Sequence, residues 1–288
     1  MPADAFPPPP RWAEPDPGAA GTPLPGGNVG GAVRVGATVR RPTGPWTPAV
    51  HALLRHVRDR GLDGVPEPLG VDGAGREVLT YLPGVPVDLA EVTDGRLASA
   101  ARWLARYHAA VAGWRPGAQR WRFEERDLDV GEIICHHDAT LYNMLVAAPG
   151  ADDVVGVVDW DVAGPGVPLD ELAMLAWSGV PLYADPGTAE GARRLRLLVG
   201  AYATQGASLG VVAPAPADVA RHVVVRMTAA TDRIAAGQAA GDTGMRNLAR
   251  VGEPARTRAA VVAYADRLPA LLAALEDAAA AAASSPAS

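Results

Sequence analysis

The period of the apolar positions changes once along this chain, and the change divides it. Up to Leu82 short alternating runs dominate. Ala32 to Val35 and Ala37 to Arg41 read as two antiparallel strands around a turn at Gly36, preceded by a Gly-rich loop from Gly26 to Gly31. Thr47-Pro48 then opens a helix, with Thr as its N-cap and Pro at the first helical position. Val50, Leu53, Leu54 and Val57 form its apolar stripe, and Gly61 stops it. Val65 to Val71 and Glu77 to Leu82 read as a hairpin that Pro83-Gly84 breaks. Residues 23–84 are thus expected to form a small lobe, a sheet plus one helix, ending in a hinge at 80–84.

Beyond the hinge the period becomes helical. Leu97 to Trp114 is amphipathic, with Leu104, His108 and Val111 on one side. A further helix starts near Leu169, and 189–275 is helical with breaks near 206–216 and 237–244. Residues 85–277 therefore form a larger, mainly helical unit. The Pro-rich residues 1–22 and the Ala-rich residues 278–288 are expected to be disordered or flexible tails.

Composition narrows the chemistry. Hydrophobic residues make up 49% of the 288, but no apolar run reaches the ~20 residues of a membrane span. The N-terminus lacks the basic and apolar regions of a signal peptide, so the expected location is cytoplasmic, with no membrane partner. A net charge of −6 argues against nucleic acid as a partner. The single Cys135 excludes an internal disulfide and reads as a small buried hydrophobe. All 26 basic residues are Arg. A Schiff base, a catalytic Lys amine and a Lys-dependent phosphate-binding P-loop are therefore excluded.

The candidate chemistry sits between Ile133 and Asp161. One apolar strand runs into His136, Asp138 and Asn143; the next runs into Asp159 and Asp161. Asp138 at a strand end can orient a substrate hydroxyl or accept its proton. An Asn carbonyl and the Asp159 carboxylate are hard oxygen donors suited to Mg²⁺ on a phosphate chain. Upstream, Gly26, Gly27, Asn28 and Gly30 would let backbone amides approach phosphates. Strand alternation puts Thr38 and Arg40 on one face, so Arg40 is the residue expected to reach a nucleotide, with Arg41 pointing away.

His-x-Asp-x-x-x-x-Asn from His136 to Asn143, followed by Val-Val-Asp-Trp at 157–160, resembles the catalytic signature of the aminoglycoside phosphotransferase family. The Gly-rich loop, the Val-Arg strand, the hinge run Leu79 to Gly84 and the Gly166 to Ala173 run fall in the family's order, over about residues 24 to 275. The resemblance implies an α+β, bilobal protein-kinase-like fold with a small β-rich N-lobe and a larger helical C-lobe. It implies ATP and Mg²⁺ as cofactors and a small hydroxyl-bearing molecule as acceptor. Asp138 would be the catalytic aspartate, and His136 the brace of its loop. Asn143 and Asp159 would hold the metal, Arg40 would take the strand cation's place, and Thr80, Tyr81 and Leu82 would hold the adenine edge.

Two departures stand out. The small-lobe helix usually supplies a Glu to the strand cation, yet here the nearest position is His51. Thr140-Leu141 stands where Pro is common. These leave a second reading, a catalytically weak nucleotide-binding regulatory module. A metal-dependent hydrolase using Asp138, Asp159 and Asp161 is a third. Asp161 reads equally as a structural hydrogen-bonder and as a substrate or second-metal contact. His137 reads as a solvent-facing loop residue, Asp170 as structural. From Asp161 to the C-terminus 12 acidic residues face 11 Arg, which makes no clear trap for a polycation.

Overall fold

The computed structural model describes residues 6–13, 21–24 and 31–284, with side chains to Asp277. The N-terminal lobe is built on an antiparallel sheet of β1 (Thr22–Pro23), β2 (Val33–Val35), β3 (Thr38–Pro42), β4 (Pro68–Val71) and β5 (Arg76–Thr80), in the order β1-β2-β3-β5-β4. The turn between β2 and β3 needs a left-handed residue, and Gly36 supplies it at φ 58°. Helix α1 (Thr47–Asp59) buries Val50, Leu53, Leu54 and Val57. Its N-cap is Trp46 rather than Thr47, whose hydroxyl instead accepts the Gly44 N–H at 2.9 Å.

After the hinge the chain enters the second lobe at once. Strand β6 (Val85–Pro86) is followed by helix α2 (Asp94–Val111), which Thr93 caps through the Arg96 N–H at 3.0 Å. The hairpin β7 (Gln119–Arg120) and β8 (Glu125–Arg126) leads to β9 (Ile133–Cys135), which pairs with β12 (Gly164–Gly166). Between them, β10 (Met144–Val146) pairs with both β6 and β11 (Val154–Val157). This small sheet ties the hinge to the strands that carry the polar loops. Helices α3 (Pro168–Gly179), α4 (Thr188–Ala207), α5 (Pro216–Ala240), α6 (Thr243–Leu248) and α7 (Ala255–Ser284) complete the lobe.

The core runs through α2. Trp103 and Tyr107 meet Trp160 edge-on at 6.2 and 5.3 Å between ring centroids, and Tyr107 donates to the Ile134 carbonyl at 2.7 Å. Buried aromatic edges with a satisfied hydroxyl fix the β9 and β11 strand ends relative to one another. No helix of the described residues is long and apolar enough to cross a membrane.

Two expected tails are corrected. Pro10 to Trp12 lie along the open edge of β4: Val71 donates to Pro10 O and Trp12 donates to Val71 O, each at 2.8 Å. Phe6 donates to Gln119 Oε1 at 3.1 Å and stacks on Trp114. An edge strand presents unpaired backbone groups, and this segment covers them, so residues 6–13 are docked. Residues 1–5 and 14–20 lie outside the described residues. At the other end α7 continues to Ser284 instead of stopping at 277, since Ala is the strongest helix former.

Candidate active site

Strand β9 is wholly buried and delivers the chain to a sharp corner. His137 takes the left-handed conformation there, at φ 64°. That backbone is uncommon for a residue with a side chain and persists only where neighbours enforce it. Glu171 enforces it: its carboxylate accepts the His136 and His137 N–H groups at 3.0 and 2.8 Å. His137 donates through Nε2 to the Pro165 carbonyl at 2.9 Å and is buried, which corrects its reading as a solvent-facing residue. His136 accepts the Asp138 N–H on Nδ1 at 3.2 Å and donates through Nε2 to Val158 O at 3.0 Å. One imidazole therefore links the loop after β9 to the end of β11.

Asp138 projects from this corner. Tyr142 donates to its Oδ1 at 2.8 Å, and the Asn143 amide donates to its Oδ2 at 2.9 Å and to its carbonyl at 3.0 Å. Because the amide nitrogen is spent on Asp138, Asn143 Oδ1 remains as an acceptor to which no described protein group donates. Burial, then the charge of Asp159, raises the Asp138 carboxyl to about 7.

Asp159 follows β11 and is also left-handed, at φ 67°. Arg41 reaches it across the lobes: Nη2 lies 3.0 Å from Asp159 Oδ1 and 2.6 Å from Asp161 Oδ2. Glu77, opposite Arg41 in the β3–β5 register, lies 3.6 Å from its Nε. Behind Glu77, His51 of α1 hydrogen-bonds to it at 3.0 Å. Burial pushes the Asp161 carboxyl up against the pull of Arg41.

Arg41, and not the expected Arg40, is thus the strand arginine that meets Asp159 and Asp161 across the lobes. The alternation itself holds: the two side chains lie on opposite faces. Arg40 is buried in register with Val33 and Val78, on the face turned from the cleft. Period two separates the faces but does not say which one meets the second lobe. The missing helix Glu is likewise replaced by Glu77 from the neighbouring strand, with His51 at the expected helix position.

At the hinge, Thr80 donates to Glu67 O at 3.0 Å and Tyr81 to Ala37 O at 2.8 Å. Arg34 stacks on the Tyr81 ring at 3.8 Å. Leu82 N–H makes no hydrogen bond among the described residues. Gly26, Gly27, Asn28 and Gly30 lie outside the described residues. Asp170 ties α3 to α5, accepting Val167 N–H at 3.2 Å and His222 at 2.7 Å.

No cluster of three or more His, Cys, Asp or Glu is arranged for a metal among the described residues. The site offers two oxygen donors, Asn143 Oδ1 and the Asp159 carboxylate, of the hard type that a magnesium ion would take together with phosphate and water oxygens. The donor set fits a metal that arrives with a nucleotide. A cavity of about 800 Å³ opens beside Asp138 and extends under α3, α5 and α6.

Residues 112–206, which contain Asp138, Asn143, Asp159 and Glu171, match the model of the phosphotransferase enzyme family. A trifolitoxin immunity protein from Rhizobium leguminosarum bv. trifolii is 34% identical over 167 residues, covering 56% of this chain and 63% of that relative. The chain thus spans under two thirds of the curated relative that it matches. Among solved structures, a choline/ethanolamine kinase family protein from Mesorhizobium loti aligns over 90% of this chain and 92% of its own, at 20% identity and TM-score 0.52. The amicoumacin kinase hAmiN, solved in complex with AMP-PNP, Ca²⁺ and Ami, aligns over 86% and 87%, at 11% identity and TM-score 0.56. The fold is the bilobal protein-kinase-like one, a small sheet-based lobe and a larger helical lobe.

The local pattern of the chain does not assign Arg41, Glu77, Tyr142 or the bracing role of Glu171. Only Glu171 carried a signal, as an acid in the first turn of a helix just past the motif.

Proposed function

We propose that this chain transfers the γ-phosphoryl group of ATP to a hydroxyl of a small molecule. The observation that carries the reading is Asp138, fixed by Tyr142 and Asn143 at the mouth of the cavity beside Asp159. A carboxylate raised to about 7 is matched to accepting a proton near neutral pH.

In this reading the acceptor enters from the helical lobe and presents its hydroxyl to Asp138. The hydroxyl oxygen bonds to the γ-phosphorus as the bond to the departing ADP oxygen breaks, and the hydroxyl proton passes to Asp138. Arg41, anchored by Glu77, reaches into the cleft from above and offers its guanidinium to the phosphates in place of the absent lysine. Asn143 and Asp159 would hold the metal, which would supply neutralisation of phosphate charge. Leu82 N–H is the hinge donor for an adenine edge, since the Thr80 and Tyr81 amides are spent within the lobe. Catalysis is chiefly positioning and charge complementarity.

The test follows ADP release with ATP and Mg²⁺ over a panel of sugars, amino alcohols, hydroxy acids and antibiotics. Asp138→Asn should cut turnover by about 100- to 10,000-fold while nucleotide still binds by calorimetry. Undiminished turnover in that variant would remove Asp138 from the role.

A further inference from the structure

Most of the acids that line the cavity beside Asp138 are paired with arginine. Four carboxylates reach it: Asp138, Asp159, Asp161 and Glu253. Asp159 and Asp161 are held by Arg41, and Arg122 adds a contact to Asp161 at 3.6 Å. Glu253 is paired with Arg256 at 2.9 Å. Asp138 is occupied by Tyr142 and Asn143. Of the four, only Asp138 has no arginine partner among the described residues.

Two arginines of the same cavity have no such direct partner among the described residues. Arg226 and Arg233 are two turns apart on α5 and so share its cavity face with Met227, Ala230 and Ile234. Neither makes an ion pair with a carboxylate among the described residues. Arg226 is buried; it donates through Nη2 to the His137 carbonyl, and its Nε is buried without a partner. Arg233 makes no hydrogen bond among the described residues, and its guanidinium lies 5.0 Å over the Phe123 ring. Burial, with Arg226 nearby, outweighs the pull of Glu124 and Asp170 and holds its pKa below the usual arginine value. Asp138 and Asp170 act on Arg226, and Glu124 and Asp170 on Arg233, without closing to a direct ion pair, and an oxyanion set between the two guanidinium groups would supply that pair. The remaining wall is apolar, with Met174, Trp177, Met227, Met245 and Leu248 prominent.

Resting on the kinase reading, we infer that the acceptor is a hydroxylated organic anion with an apolar body, its oxyanion set on Arg226 and Arg233 and its hydroxyl presented to Asp138. A planar guanidinium pair matches a carboxylate or phosphate through charge-assisted hydrogen bonds. The same pair repels polyamines, so aminoglycosides are poor acceptors for this chain.

Three probes of one body separate the charge: ω-hydroxydecanoate, its neutral amide and ω-aminodecanol. Their binding to the full chain is measured by titration calorimetry without ATP. The anion should bind at least about tenfold more tightly than the amide, with the amine weakest. Arg233→Gln should erase that preference by weakening the anion alone, leaving the amide unchanged. An amine that binds as well as the anion, no anion binding at millimolar concentration, or an Arg233→Gln loss equal for all three probes would each overturn the assignment. The readout involves no phosphoryl transfer. A failed charge order with normal ADP release therefore sinks the anion assignment alone, and a chain that binds in the expected order but releases no ADP with any acceptor sinks the kinase reading alone.

Discussion

Arg41 Nη2 lies 3.0 Å from Asp159 Oδ1, joining the middle strand of the small sheet to the loop that ends β11. One guanidinium thereby links the two lobes at the point where phosphates would lie. Glu77 orients it from the adjacent strand, and His51 orients Glu77.

Arg41→Gln should lower kcat/KM by about 100-fold, the scale of losing one preorganised electrostatic donor. Steady-state kinetics with ATP varied checks it. Unchanged kinetics in this variant, with loss in Arg40→Gln beyond what its melting temperature explains, would restore Arg40 as the nucleotide-facing cation.

Removing the proposed metal ligands should act through the metal. Asp159→Asn should shift the Mg²⁺ concentration needed for half-maximal ADP release upward by about tenfold or more, and chelation of divalent ions should stop turnover in the unaltered protein. A variant with the original Mg²⁺ dependence would take Asp159 out of the metal site.

Glu171 carries a stability signature. Burial alone would raise its carboxyl, but His108 and the two loop histidines outweigh it and bring it down to about 2 from an ordinary 4.5. A depressed carboxyl stabilises the fold above the ordinary value and loses that contribution as pH falls from 4.5 toward 2. The shift corresponds to about 3 kcal/mol. Urea unfolding between pH 6 and 3 should show this loss, and Glu171→Gln should be less stable at pH 6 and lose less between these pH values. Parallel pH profiles for the two proteins would refute the linkage.

Cys135 should be chemically silent while the protein is folded. It is fully buried, its thiol donates to Val167 O at 3.4 Å, and burial pushes its pKa well up. Ellman's reagent should therefore read no thiol in the native protein and one after denaturation. Rapid reaction of the native protein would mean that the β9 strand opens readily.

Much of this molecule is local and therefore written in the chain. The turn at Gly36, the apolar stripe of α1, the change of period at the hinge and the His136 to Asp159 motif all depend on neighbours a few residues apart. The sequence by itself also settled what is missing: without lysine, any cation gripping phosphate must be an arginine. Three things depended on distant contacts. Which face of β3 meets the second lobe is decided by packing across the hinge, so Arg41 rather than Arg40 stands at Asp159. The partner of that arginine comes from β5, because register pairs Glu77 with Arg41 whatever the helix supplies. Arg226 and Arg233 stand beside Asp138 without an ion pair because Asp159, Asp161 and Glu253 pair with other arginines, a pairing that the near balance of acids and bases along the chain conceals.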